Sequence, residues 1–359
     1  MADTLVRAHD SSARARGPHL VSGPATGVLI VTLAALLLVV CLVAIAYGSV
    51  NVPLGAVWRV LGSHLSGRGA SADPLHEQIV WDIRTPRVLL AALAGAGLSV
   101  AGVALQALVR NPLADPYILG VTPGASLGAV LVAALGTTAL GGLSVTGAAF
   151  TTALASTVVV YLLAQRGGRL LDPWLVLAGV AIGYLCTAAT TFVQLQLEPT
   201  ELQGLMFWLM GSVAGATWGD LGLPGAVIVA CLIYLLAQAR GLNALLAGED
   251  AAAGLGVPVQ TLRIALLAIA SLLTATVVSV AGGIGFIGLM VPHMARFAVG
   301  GDHRRVLPVA MLGGAVFLVV VDIATRTVDR PNELPIGIFT TGLGVPFFLW
   351  LLRRRGRSS

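Results

Sequence analysis

The chain has 359 residues, of which 57% are hydrophobic and only 10% charged, against roughly 25% charged in a soluble domain. With a mean hydropathy of +0.92, this excludes an ordinary soluble enzyme and describes a polytopic membrane protein, long enough for about ten crossings at roughly 20 residues each. The net charge of +5 rests on arginine alone, since none of the 21 basic residues is lysine. No P-loop lysine or Schiff-base lysine is therefore available in this chain. The arginines are scattered between apolar runs, without the stripe and interleaved aromatics of a nucleic-acid surface.

In chain order, residues 1–26 are polar and rich in Arg, Ser, Gly and Pro and read as a disordered cytoplasmic tail. The run from Gly27 to Tyr47 exceeds the ~7–15 residues of a signal-peptide core, so it is expected to remain as a first span. Segment 49–87, with Trp58, Trp81 and mixed charges, reads as an outer loop holding short helices on the membrane surface. Further apolar stretches fall at about 88–108, 117–136, 143–164, 174–195, 220–238, 262–281, 284–299, 306–324 and 335–352. With the first they make ten, an all-α transmembrane unit over 27–355. The sixth and eighth are short and rich in Gly or Pro, which suits tilted or broken spans. Between the sixth and seventh, residues 239–261 form an inner loop whose Ala and Leu favour helix and whose Gly248 and Gly254 punctuate it. A docking surface and a linker lying on the headgroups fit that composition equally.

With the N-terminus inside, 15 arginines fall in inner segments and six, Arg59, Arg68, Arg84, Arg87, Arg326 and Arg330, in outer ones. The positive-inside rule then places both termini in the cytoplasm, and the outer arginines are exceptions that need a reason.

Ionisable groups inside a membrane are expensive and mark ion relays, yet the spans hold almost none. Gln106, Gln194 and Gln196 are the main mid-span polar groups, with Thr187, Thr190 and Thr191. Energy is therefore expected from an ATP-hydrolysing partner, and an ion-coupled carrier working alone is the weaker alternative. No H-E-x-x-H pair, paired carboxylates or Ser/His arrangement points to catalysis, and Cys41, Cys186 and Cys231 read as isolated hydrophobes with no disulfide or metal role. The glycine-rich break from Gly282 to Gly288, followed by Pro292, would free backbone groups that must face protein or a water-filled path.

Arg84-Thr85-Pro86-Arg87, Gly95, Gly102, Gln106, Arg110-Asn111-Pro112-Leu113-Ala114-Asp115-Pro116, Leu119-Gly120 and Gly124-Ala125 together resemble the FecCD-type permeases. These are membrane subunits of type II ABC importers for iron-siderophores, haem and vitamin B12. Phe207-Trp208-Leu209-Met210-Gly211-Ser212, Gly248-Glu249, Leu255-Gly256-Val257, Gly285-Phe286-Ile287-Gly288, Pro292-His293, Asp302-His303-Arg304 and Glu333-Leu334-Pro335-Ile336-Gly337 extend the likeness from about Gly27 to Arg355. The resemblance implies ten helices, an approximate inverted repeat of spans 2–5 and 7–10, and a second permease subunit, a copy or a paralogue. It also implies two cytoplasmic ATPases carrying ATP and Mg, an external binding protein, no cofactor in this chain, and residence in the cytoplasmic membrane.

By the same resemblance the 239–261 loop seats in the ATPase, with Gly248, Glu249, Leu255 and Gly256 as its coupling residues. Arg84, Arg87 and Arg326 match arginines that meet glutamates of the binding protein. An Asp322–Arg326 helical pair and anchoring of Arg84 and Arg87 at the headgroups are the plainer alternatives. Asp172 and Pro173 match an inner constriction, and Thr190, Gln194, Thr340 and Thr341 a path lined by spans five and ten. His293, expected near the inner end of span eight, reads as structural. The expected cargo is a metal chelate, an iron-siderophore before haem or cobalamin.

Overall fold

The structure is a computed structural model that describes residues 23–355 apart from 49, 51, 68–72 and 140. Most of the expected tail, 1–26, lies outside the described residues. The first span is α1 (Gly23–Ala46). It is followed by α2 (Leu54–Leu65), α3 (Pro74–Glu77), a π-helical stretch over Gln78–Arg84, and α4 (Thr85–Leu108). The first half continues with α5 (Val121–Ala139), α6 (Val145–Ala164), a two-stranded hairpin of β1 (Gln165–Arg166) and β2 (Arg169–Leu170), and α7 (Asp172–Gln194). Next come α8 (Pro199–Leu209), α9 (Trp218–Leu221), α10 (Leu223–Ala237), α11 (Ala239–Leu246) and α12 (Glu249–Gly254). The chain ends with α13 (Val259–Ala281), α14 (Ile287–Val299), α15 (His303–Thr325) and α16 (Ile336–Arg355).

Among the described residues, eight helices are long and apolar enough to cross a membrane, and the shorter apolar helices 287–299 and 336–351 complete the ten expected stretches. The eighth is short, as its Gly and Pro content predicts, with 13 residues in α14, about 20 Å at 1.5 Å per residue. The sixth is broken at Gly222 between α9 and α10 but runs to 20 residues in all, and the tenth is the other short one.

Two boundaries differ from the sequence reading. The outer loop does not run to residue 87, because helix is continuous from Pro74 to Leu108, 35 residues. Asp73 starts it by accepting from the amides of Leu75 and His76, with Pro74 in the first helical position, where its missing N–H costs nothing. At about 50 Å this helix is longer than the ~30 Å hydrocarbon layer, and its first turns stand outside it. The third stretch also begins later than residue 117, with Ile118 and Leu119 entering between helices as irregular chain. A Cβ on Gly179 of α7 would lie 2.5 Å from the Ile118 carbonyl oxygen, so the close approach needs glycine there.

Helix α4 is the centre of the fold, with 83% of its apolar window buried. Lipid supplies no hydrophobic drive between helices, so contact depends on backbones approaching closely at small residues. Gly95 meets Gly314 of α15, and Gly102 meets Gly288 of α14, where an added Cβ would fall 2.0 Å from the Gly288 oxygen. The packing has an inverted regularity. Helix α4 packs on α15 as α13 packs on α6; α5 packs on α6 and α7 as α14 packs on α15 and α16; and α4 and α13 pack on each other. This is the arrangement the resemblance implies for spans 2–5 and 7–10.

The glycine break faces both protein and open space, since Gly283, Gly285 and Phe286 border a cavity. The Ser212 amide donates to Ala281 O at 2.8 Å, and the amides of Ile336 and Gly337 donate to Gly211 O and Met210 O, each at 2.9 Å. Pro292 cannot donate to the carbonyl four residues earlier, that of Gly288. The Gln106 side-chain amide fills the gap at 3.1 Å, while its oxygen accepts from Arg296. The mid-span glutamine thus repairs a proline.

Candidate coupling and translocation site

At one end of the bundle, four charged side chains close a ring. Asp172 is the first residue of α7 and Glu249 the first of α12. Arg263, on α13 and 3% exposed, places Nη1 2.5 Å from Glu249 Oε1 and Nη2 against Asp172 Oδ1. Arg110, just past the end of α4, has Nη2 3.1 Å from both Asp172 Oδ2 and Glu249 Oε1. Arg263 carries most of the energetic weight, since removing one partner of a buried pair costs ~3–5 kcal/mol. The half-exposed Arg110 contacts are worth about 0–1 kcal/mol each.

The ring joins two of the sequence-predicted groups, Asp172 and Glu249. Glu249 pairs with both arginines while 35% of its side chain stays exposed, and Asp172 is held in the same ring. Pro173 is exposed in the first turn of α7. Gly248 (φ 102°) and Gly256 (φ 79°) bracket α12 in left-handed conformations, which costs other residues ~1–2 kcal/mol. Leu255 is 74% exposed, an apolar side chain offered outward at the tip of the loop.

At the opposite end the three arginines expected to meet a binding protein are each only 5% exposed. Arg84 donates through Nη1 to Ile45 O (2.8 Å) and Ala46 O (2.9 Å), and through Nη2 to Val50 O. The last carbonyls of a helix have no intrahelical donor, and Arg84 supplies one for the end of α1. Arg87 pairs with Asp322 at 2.8 Å and with Glu333 at 2.9 Å. Arg326 lies 2.9 Å from the other Asp322 oxygen, one helical turn away, in an ion contact too bent for a hydrogen bond. All three arginines thus have partners within the chain. The charges of Arg87 and Arg326 meet a fully buried Asp322, which needs them, and the Asp322–Arg326 helical pair is present.

A cavity of about 780 Å³ opens where irregular chain meets the start of α16, lined by Asp115, Met210, Phe286, Leu289 and Thr341 among others. Thr341 thus borders a space of path dimensions. Thr340 is buried and donates to Gly337 O at 3.4 Å. Thr190 is buried and Gln194 half-buried on α7, about 27 and 33 Å along the helix from Asp172, and neither borders this cavity. His293 sits midway along α14, edge-on to Phe297 at 4.8 Å.

Arg110, Arg263, Asp322 and Glu333 were missed as site residues. Asp322 carried a local signal in its i, i+4 spacing to Arg326. Arg263 and Asp172 are 91 positions apart, with nothing local to link them.

Ten apolar helices among the described residues, an inverted packing pattern, a glycine break bordering a cavity and a charged loop define a multi-pass membrane permease. Residues 36–354 match the FecCD transport family, and the chain belongs to that family. It is 45% identical over 277 residues to the cobalamin import system permease protein BtuC of Halobacterium salinarum, covering 77% of this chain and 74% of that one. It is 40% identical to the hemin transport system permease protein HmuU of Yersinia pestis, covering 89% and 94%. A solved structure described as an inward-facing conformation of a metal-chelate type ABC transporter superposes with a TM-score of 0.80 at 29% identity, covering 91% of this chain and 99% of that one. The chain is a permease of a type II ABC importer, not an enzyme, and ATP hydrolysis in this class resides on a separate chain.

Proposed function

We propose that this permease moves a metal chelate across the cytoplasmic membrane by alternating access, driven by two ATPase subunits and paired with a second permease subunit. Both termini face the cytoplasm, and an external binding protein delivers the cargo. The observation that carries this reading is the inner loop. Leu255 is exposed at its tip, while its root is tied by charge to α7. Such a loop can receive a push from a cytoplasmic ATPase and pass it to a membrane helix.

The sequence motifs put an iron-siderophore first. The names of the relatives favour cobalamin and hemin, so cobalamin is the cargo to test first, then hemin, then a ferric siderophore. The experiment is purification of the tagged chain from its native membrane in mild detergent, with mass spectrometry of its companions. An ATPase with a Walker A sequence is the expected companion. The chain alone, under conditions where another ABC complex survives, would favour a solitary carrier. Uptake of labelled cyanocobalamin, hemin and a ferric siderophore into proteoliposomes of the complex should depend on ATP and ignore a collapsed proton gradient.

A further inference from the structure

The inner ring is more than a staple. Helix α12 packs on α11 and α13, whereas α7 packs on α5 and α6, so the ring joins α12 of the loop to the start of α7 by charge. Arg110, which closes it, has φ 52°, a left-handed backbone usually given to glycine after a helix. A strained non-glycine residue whose side chain reaches two acids is an outlier of the kind found at functional sites. Holding helices together needs no such device, because buried ion pairs are poor stabilisers compared with apolar packing.

The opposite end repeats the scheme under the inverted symmetry. Arg263, near the start of α13, holds Asp172 at the start of α7. Arg87, near the start of α4, holds Glu333 just before α16. Each repeat's first helix thus supplies the arginine that pins the N-terminal end of the other repeat's last helix. A hinge pinned by ions at its end can be moved through them without unpacking its apolar face.

We propose that Arg110, Arg263, Asp172 and Glu249 form a relay that carries displacement of the 239–261 loop to the inner end of α7, with Arg87 and Glu333 as the matching clamp at the outer end of α16. They are positioning residues, and the inference rests on reading the chain as an ATP-driven permease. The loop and the start of α7 then move as one unit.

Spin labels at the exposed positions Ala251 and Leu177, in a full-length background with Cys41, Cys186 and Cys231 replaced by alanine, measure the loop-to-α7 distance in nanodiscs by pulsed electron resonance. The parent is expected to give one narrow distance, at least twofold broader in Asp172→Asn and Arg110→Gln, and narrow again in Asp172→Glu. A distribution as narrow in Asp172→Asn as in the parent overturns the relay, and so does a parent as broad as the variant. In the assembled complex, the amount of labelled cargo moved per ATP hydrolysed should fall at least tenfold in Asp172→Asn and recover in Asp172→Glu. A merely structural pair would lower total activity and leave that ratio unchanged. Failure to recover any ATPase would sink the importer reading instead, while the nanodisc distances would still decide whether the ring couples loop to helix.

Discussion

Gln106 shows how one residue answers a chemical problem posed 182 positions away. Pro292 leaves the Gly288 carbonyl without its helical donor, and in the bilayer no water replaces it. The glutamine amide donates to that oxygen and its own oxygen receives Arg296. Gln106→Leu keeps similar bulk and removes both contacts, so it should destabilise the protein by about 1–3 kcal/mol through the unsatisfied groups. A thermal melt in detergent, compared with Gln194→Leu on the partly exposed side of α7, measures it. An equal effect of the two substitutions would mean that the proline repair is unimportant. In the sequence Gln106 was visible as a polar intrusion into a span, but its purpose was not, because the partner carbonyl belongs to a distant helix.

Among elements, the α4–α14 and α4–α15 crossings depend on missing side chains. Gly102→Ala places a methyl 2.0 Å from the Gly288 oxygen, which must push α14 away and cost about 1–3 kcal/mol as overpacking. Gly204→Ala, on α8 with nothing within 4 Å, should leave the melting temperature the same or raise it. The inner loop has its own anchor: Asn243 of α11 donates to Asp302 at 2.6 Å and accepts from the His303 amide at 2.9 Å. Burial pushes the Asp302 carboxyl up, but the hydrogen bonds from Asn243 and the Arg304 amide, with the charges of Arg304 and Arg305, outweigh it and hold it below its ordinary value. A lowered carboxylate stabilises the fold above its unfolded pKa of ~3.9 and loses that contribution as pH falls through the folded value. Protection of the amides across 239–254, measured against their intrinsic exchange rates, should therefore fall on acidification below about pH 4, and Asp302→Asn should flatten the response.

At the scale of the whole molecule, the inner face presents a loop whose Glu249 turns toward the ring and whose Leu255 turns outward. Leu255→Asp leaves the ring untouched and puts a charge where an apolar contact is expected. It should cut ATPase co-purification at least tenfold, about 1.4 kcal/mol of interface energy, with no change in the melting temperature of the permease alone. Undiminished co-purification would move the docking surface elsewhere on the inner face. The outer face differs from expectation because arginines at span ends were read as surface groups. In the folded chain Arg84 closes the end of α1, and Arg87 and Arg326 neutralise Asp322.

The sequence by itself determined the membrane class, the ten apolar stretches, the short eighth span, the break in the sixth and the two-piece inner loop, because hydropathy and glycine punctuation are local properties that the bilayer enforces span by span. Its motifs carried the family likeness for the same reason, being contiguous in the chain. The tertiary structure decided which charges face each other. Arg263 with Asp172, Arg87 with Glu333 and Gln106 with Gly288 each join distant segments. A buried charge or carbonyl takes whatever partner packing brings within hydrogen-bond reach, and sequence order does not encode that proximity.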